Sequence, residues 1–315
     1  MKKIQLNKGI YGVMKVILFI LLSSLIIYFY LTYRTGSGFI ISQVRFPRLL
    51  LTFLCGFVLG GVGSVYQIML NNPLAEPYIL GVSSGAALGA VGAIVLGLYL
   101  FVPFFAFAGA LLMILTVWYL AQIGGFFSST KLLLSGIIAG MFCASLISLL
   151  LYFNQQELGS IIGVLMGNLG HIFSVREWLM FRIIVGIALL LMFYLYTLSD
   201  RLNILTSGDL VASSLGIEVK SLRRNVFVIS SLLVGFTVAY AGIIGFVGLL
   251  VPHIIRMLFG NDQRRVFLLS SFGGAVFLIL CDFLAMHLIV IEIPVGIITA
   301  FIGCPFFIYC FAKNR

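Results

Sequence analysis

Asp282 is the one acid well inside an apolar run of this chain, residues 266–288. A carboxylate there could relay protons, or it could pair with a backbone donor or a cation such as Arg256. Three histidines could also do chemistry. His253 follows Pro252 at the start of a helix, where it could bond freed backbone groups or bind a metal, but no Cys, Asp or Glu stands beside it to complete a metal site. His171 and His287 fall near the ends of apolar runs. The cysteines Cys55, Cys143, Cys281, Cys304 and Cys310 all lie in apolar stretches and make no CxxC pair, which reads as small core residues rather than a disulfide or metal framework. HExxH, GxSxG and paired carboxylates at useful spacing are missing, and no Gly-Lys-Ser/Thr follows any glycine cluster. These patterns argue against a membrane-embedded enzyme and against a phosphate loop in this chain.

The elements that must position these residues are apolar. Of 315 residues, 62% are hydrophobic and 9% are charged. Soluble domains carry about 25% charged residues, so the chain reads as an integral membrane protein, all-α, in a single domain over 1–315. The net charge of +10 comes from basic residues scattered at the ends of apolar runs. That is the positive-inside bias rather than a nucleic-acid surface, and no nucleic-acid partner is expected. The N-terminal MKKIQLNKG and the apolar residues 16–33 predict an uncleaved first helix.

Charges and turn residues mark about ten spans. They fall at 16–33, 49–70, two within 77–130 with a turn near 97–103, 132–153, 178–198, 225–240, 246–259, 266–288 and 294–312. Residues 158–177 predict an interfacial or re-entrant segment, and the link around Pro47 an extended or turned one. With both termini inside, only Arg34, Arg45, Arg48, Arg176 and Arg182 fall outside. Residues 225–255 carry no formal charge, and as one straight helix would span about 46 Å against a bilayer core of about 30 Å. The run must therefore fold back, with Gly242, Gly245, Gly248 and Pro252 as breaks. Broken helices at this depth survive only inside protein or along a water-filled path, which suggests transport. Gly81, Gly85 and Gly89, Gly56 and Gly60, and Gly136 and Gly140 recur every four residues and predict close helix packing.

Five ordered segments then carry a resemblance: VRFPRLL (44–50), NNPLAEPYILGVSSGAALGA (71–90), GDLVASSLGIEVKSLR (208–223), GFVGLLVPHIIRMLFGNDQRR (245–265) and EIPVGIITAFIGCPFF (292–307). They resemble the FecCD/BtuC-type permeases of ABC importers, which carry iron–siderophores, haem and vitamin B12. The resemblance implies a BtuC-like, type II importer fold of ten helices in the cytoplasmic membrane. It also implies a permease dimer, with a homodimer expected. The partners are two cytoplasmic ATPase subunits that hold ATP and Mg, an extracytoplasmic binding protein and membrane lipid, and no cofactor is bound by this chain. Iron–siderophore is the first cargo expected, with haem and cobalamin behind it.

The same resemblance assigns roles. Residues 199–224 become the cytoplasmic coupling segment, with Gly208, Asp209, Ala212, Leu215, Gly216 and Arg223 at the ATPase contact; as plain sequence they are a polar loop around a short helix. Arg45 and Arg48 oppose the dipole of the helix they start, and become docking cations for the binding protein. Members of this family often carry an arginine near Met286-His287; this chain has none, and His287 is a candidate substitute. Asn72, Leu74, Ser129 and Thr130 match regions that narrow the path, although all but Leu74 also suit helix caps. Gly136, Gly140 and residues 297–303 are expected along its wall, and His171 is a minor candidate for relaying haem. The competing reading is a secondary transporter driven through Asp282, which lacks the several intramembrane acids or paired unwound sites such carriers use.

Overall fold

Backbone surrounded by hydrocarbon must satisfy its own amides, so uncharged runs of this length fold as helices. The computed structural model describes residues 23–33, 38–123, 129–170, 175–289 and 291–313, and every regular element among them is helical. The first is α1 (Ser23–Thr32). A turn at Gly38–Ile40 and a π-helical turn at Ile41–Arg45 lead without a gap into α2 (Phe46–Met69). The expected extended link around Pro47 is therefore helical. Pro47 falls in the first turn of α2, where a missing N–H removes no hydrogen bond.

The chain continues through α3 (Val82–Val95), α4 (Val102–Gln122), α5 (Ser129–Phe153) and the short α6 (Leu158–Met166). Then come α7 (Val175–Thr197), the short α8 (Ser199–Leu205) and α9 (Asp209–Ser214), α10 (Val219–Ala241), α11 (Val247–Phe259), α12 (Gln263–His287) and α13 (Val295–Lys313). Six of the helices are long and apolar enough to cross a membrane, and four shorter apolar ones, Ser23–Thr32, Val82–Val95, Val247–Phe259 and Val295–Cys310, accompany them. The expected spans from 49 onward each have a counterpart in this set; of the first, 16–33, residues 16–22 lie outside the described residues. Of residues 199–224, expected as a polar loop around a short helix, those from Val219 onward already belong to α10.

The uncharged run at 225–255 folds back at one place. Gly242 (φ 70°) ends α10, and Phe246 (φ 70°) opens α11 in the left-handed region. Gly248 and Pro252, expected as breaks, lie inside α11 instead. Gly248 serves packing: a β-carbon there would sit 2.7 Å from the Pro77 ring and 2.9 Å from the Leu59 carbonyl. Helices α3 and α11 each rise only about 20 Å. The connection from α2 to α3 therefore runs into the bundle, where it meets the start of α11.

Packing centres on α2, which is mostly buried. Gly56 and Gly60 lie against the backbone of Gly274 and Ser270 on α12. Gly85 and Gly89 meet Gly109 and Phe105 on α4, and Gly81 meets Gly136 on α5. At each crossing a methyl group would collide with backbone, so the glycine spacing read from the sequence is a packing code.

Beside this seam a buried charge cluster ties α1, α2 and α12. Arg48 holds Asp282 with two bonds, Nη2 to Oδ1 at 2.8 Å and Nε to Oδ2 at 3.0 Å. The Tyr30 hydroxyl donates to Asp282 Oδ2 at 2.5 Å, and Thr52 Oγ1 donates to the same oxygen at 3.3 Å. Asp282 is fully buried and Arg48 nearly so. Removing one partner strands a buried charge, so Arg48→Leu should cost about 3–5 kcal/mol. Thermal unfolding in detergent should show a lowered midpoint for Arg48→Leu and recovery in the Arg48→Leu/Asp282→Leu pair; equal midpoints for wild type and the single variant would show that the pair does not hold these helices.

Candidate functional site

The polar stretch after α7 forms a small projecting unit. Gly208 (φ 103°) and Gly216 (φ 81°) bound α9 with open space around both. Asp209, in the first turn of α9, accepts two bonds from Arg223 on α10 at 2.7 and 2.8 Å. This fork pins α9 to a long helix. Ala212 is buried beneath α9, so the expected contact role does not fit it; it is the inward face of the unit. The outward face is Leu210 (88% exposed), Val211 and Leu215. Leu210 and Val211 were absent from the sequence-derived set, because their exposure follows from which face the Asp209–Arg223 fork turns inward.

Behind this unit a polar network reaches α2. Gln263 N–H donates to Asn203 Oδ1 at 2.7 Å, and Asn203 Nδ2 donates to Asp262 at 3.0 Å, the residue that caps α12. Arg264 pairs with Asp200. Gln263, fully buried, donates to Ser64 Oγ at 3.0 Å and accepts from Arg256 at 3.2 Å. Arg256 also donates to Gln67 Oε1 and to the Ser64 carbonyl, each at 3.0 Å. Arg256 is thus engaged at the opposite end of α2 from Asp282, and the cation that pairs with Asp282 is Arg48.

The expected gate residues lie where α2 ends and α5 begins. Asn72 Oδ1 accepts the Leu74 N–H at 2.9 Å, which shapes the turn and leaves Leu74 exposed. Ser129 opens α5 and Thr130 is exposed beside it. Gly136 is not on an open wall: it is buried, with a would-be β-carbon 2.7 Å from the Leu80 backbone. Gly140 is half-buried beside Ser84. From this connection two side chains reach the α10–α11 break. The Tyr78 hydroxyl accepts the Ile244 N–H at 3.1 Å, and the Glu76 carboxylate accepts the Phe246 N–H. Glu76, read in the sequence only as a turn residue, is thus a second acid within the bundle. A cavity of about 640 Å³ lies between this break, α6 and α13, lined by Phe246, Ile297, Ala300, Phe301 and Cys304 among others.

At the other end Arg45 and Arg48 part company. Arg48 is not the exposed cation expected, because Asp282 holds it inside; only its Nη1 reaches outward, to Glu292 at 3.0 Å. Arg45 is half-buried and donates to the Tyr30 and Leu31 carbonyls at 3.1 and 3.2 Å, closing the end of α1 as a cation suits a helix C-terminus. The His287 ring packs against Tyr33 and Phe283, with Nδ1 2.8 Å from the Phe283 carbonyl. His253 faces Phe306 and Phe307 of α13. His171 lies outside the described residues.

The sequence model of the FecCD transport family matches residues 11–313. The chain is 38% identical over 276 residues to the uncharacterized ABC transporter permease protein YvrB of Bacillus subtilis, covering 85% of this chain and 77% of that one. It is 35% identical over 279 residues to the vitamin B12 import system permease protein BtuC of Citrobacter koseri, covering 87% and 83%. A solved structure of an ABC transporter assigned to the metal-chelate type, in an inward-facing conformation, superposes with a TM-score of 0.84 at 33% identity, covering 94% of this chain and 97% of that one. The residues matched by the family model span the buried connection, the broken helix pair and the projecting unit. This chain belongs to the FecCD transport family and is a multi-pass membrane permease of the type II ABC importer kind.

Proposed function

We propose that the chain carries an intact metal chelate inward across the cytoplasmic membrane as one half of a permease dimer. Two separate ATPase subunits bind the cytoplasmic side, and an extracytoplasmic protein delivers the cargo. Both termini are then cytoplasmic, as is α9. The observation that carries this reading is the apolar face of α9: Leu210, Val211 and Leu215 are exposed on a unit that the Asp209–Arg223 fork holds rigid. An apolar, stiffly mounted tip outside the spans serves a protein partner that must push. Gly208 and Gly216 leave room for that partner to approach.

The cargo is a metal already saturated by its chelator: a ferric siderophore first, with haem and cobalamin as the other candidates. Apolar walls such as those of the cavity beside α13 suit a body that slides past without ligating side chains. The Citrobacter koseri relative is named for vitamin B12 import, so cobalamin belongs in the first test. Arg45 remains the docking cation of the pair, since Arg48 is committed to Asp282. The gate is assigned to Asn72, Leu74, Ser129 and Thr130, with Gly140 beside it.

The chain, its cognate ATPase and candidate binding proteins in proteoliposomes should take up one of ferric siderophore, haem or cobalamin only when ATP is supplied; uptake driven by a proton gradient without ATP would overturn the proposal. In the same system Leu210→Glu should cut coupled uptake about tenfold or more, a loss of about 1.4 kcal/mol of docking energy. Its melting temperature should match wild type, and unchanged uptake would remove α9 from the coupling role. Arg45→Glu should slow association of the binding protein and flatten its salt dependence, read by surface binding kinetics at two ionic strengths. Identical kinetics would remove Arg45 from the docking surface.

A further inference from the structure

We infer that Phe246 is a positioning residue for transport: a wedge that joins the connection between α2 and α3 to α13, with Glu76 as the latch that holds it. The inference rests on the permease reading above.

Three observations lead to it. Phe246 has φ 70°, the left-handed region that glycine occupies freely and a bulky side chain does not. The neighbouring Gly242 and Gly245 show that glycine is used freely in this segment. A phenylalanine held in that conformation persists only where its surroundings over-determine it, and such residues gather at switch regions.

The surroundings that hold it belong to another part of the chain. The Phe246 N–H is taken by Glu76, and the Ile244 N–H by Tyr78. Both acceptors lie on the connection that also carries Asn72 and Leu74. A carboxylate at the N-terminus of α11 also meets the positive end of that helix, which strengthens the hold.

The third observation is where the ring goes. It lies on Gly303 of α13, and a β-carbon there would fall on Cβ, Cγ and Cδ1 of Phe246. Gly303 makes a notch in α13, and the ring fills it while its free side lines the cavity shared with Ile297, Phe301 and Cys304. A ring needed only for core packing would be fully buried; this one is half-exposed at a helix junction.

The chain of contacts therefore runs from the connection at 71–78, through Glu76 to the Phe246 backbone, and through its ring to α13. When the connection moves, the carboxylate leaves the Phe246 N–H. The left-handed residue is then free to relax, and the ring leaves the notch. Motion at Asn72 and Leu74 is thereby delivered to α13.

The test uses spin labels on Pro73→Cys and on the native Cys304, with the other cysteines replaced, in the assembled transporter in lipid. In the resting state the distance distribution between the labels should be narrow. It should broaden in Glu76→Gln, which keeps the side-chain shape but removes the charge, and in Phe246→Gly, which removes the ring and relieves the backbone. Uptake per ATP hydrolysed should fall about tenfold in each, a shift in coupled population of that size. Distributions as narrow as wild type in both variants would overturn the wedge. A wild-type transporter without ATP-driven uptake would count against the permease reading, while the resting distances would still judge the wedge.

Discussion

A backbone amide that leaves its helix inside a bilayer has no water to bond, and this constraint shapes the middle of the protein. The chain breaks between α10 and α11, and three of the donors freed there are met by other parts of the protein. Ile243 N–H donates to the Val164 carbonyl of α6, Ile244 N–H to Tyr78, and Phe246 N–H to Glu76. The end of α6 is met in turn: Asn168 N–H donates to Ala241, and Val295 N–H at the start of α13 donates to Gly167. The break is thus a junction at which α6, α10 and α13 are tied by main-chain bonds, and the α2–α3 connection by the side chains of Glu76 and Tyr78. Moving any one of them requires trading these bonds together.

Such a junction demands close approach, which the glycines supply. Gly242 lies against the Val164 carbonyl, Gly296 against Met166, and Gly248 against Pro77. Around them α2 and α12 meet backbone to backbone at Gly56, Gly60 and Gly274. Lipid offers no hydrophobic drive for helices to associate, so this shape complementarity carries much of the cohesion. The result is two seams of close backbone contact, α2 on α12 and α3 on α4, beside which the broken pair and its connection pack.

The sequence made the spans legible because charge and apolarity alternate along the chain on the length scale of a bilayer. The run at 132–153 corresponds to α5, and that at 266–288 to α12. Glycine spacing was equally readable, since four-residue recurrence is a local property of a helix face. Proline misled twice: Pro47 and Pro252 suggest breaks, but one sits in a first turn where no bond is lost and the other, itself buried, lies within the short α11. What could not be read were partners. Arg48 and Asp282 are 234 residues apart, and Glu76 and Phe246 are 170 apart. No local pattern says which distant acid faces which distant donor. The unit around α9 shows both cases: its bounding glycines are evident in the sequence, but the inward turn of Ala212 and the outward turn of Leu210 depend on the fork to Arg223.

The fate of Asp282 bears on how the protein is powered. A carboxylate that relays protons must be able to bind and release them along an accessible route, with a partner that yields. Asp282 instead receives two bonds from a guanidinium, one from a tyrosine and one from a threonine, and it is sealed from solvent. The geometry makes this side chain a fixed tie that locks α1 and α2 to α12. Glu76 is differently placed: its partner is a backbone amide at a strained residue, which can be released without leaving a naked cation behind. The two acids thus serve different ties: Asp282 joins α1 and α2 to α12, and Glu76 joins the α2–α3 connection to the break. On the proposed ATP-driven reading, the work of transport enters from outside the bilayer, and α9 offers an apolar face for it that the Asp209–Arg223 fork pins to α10.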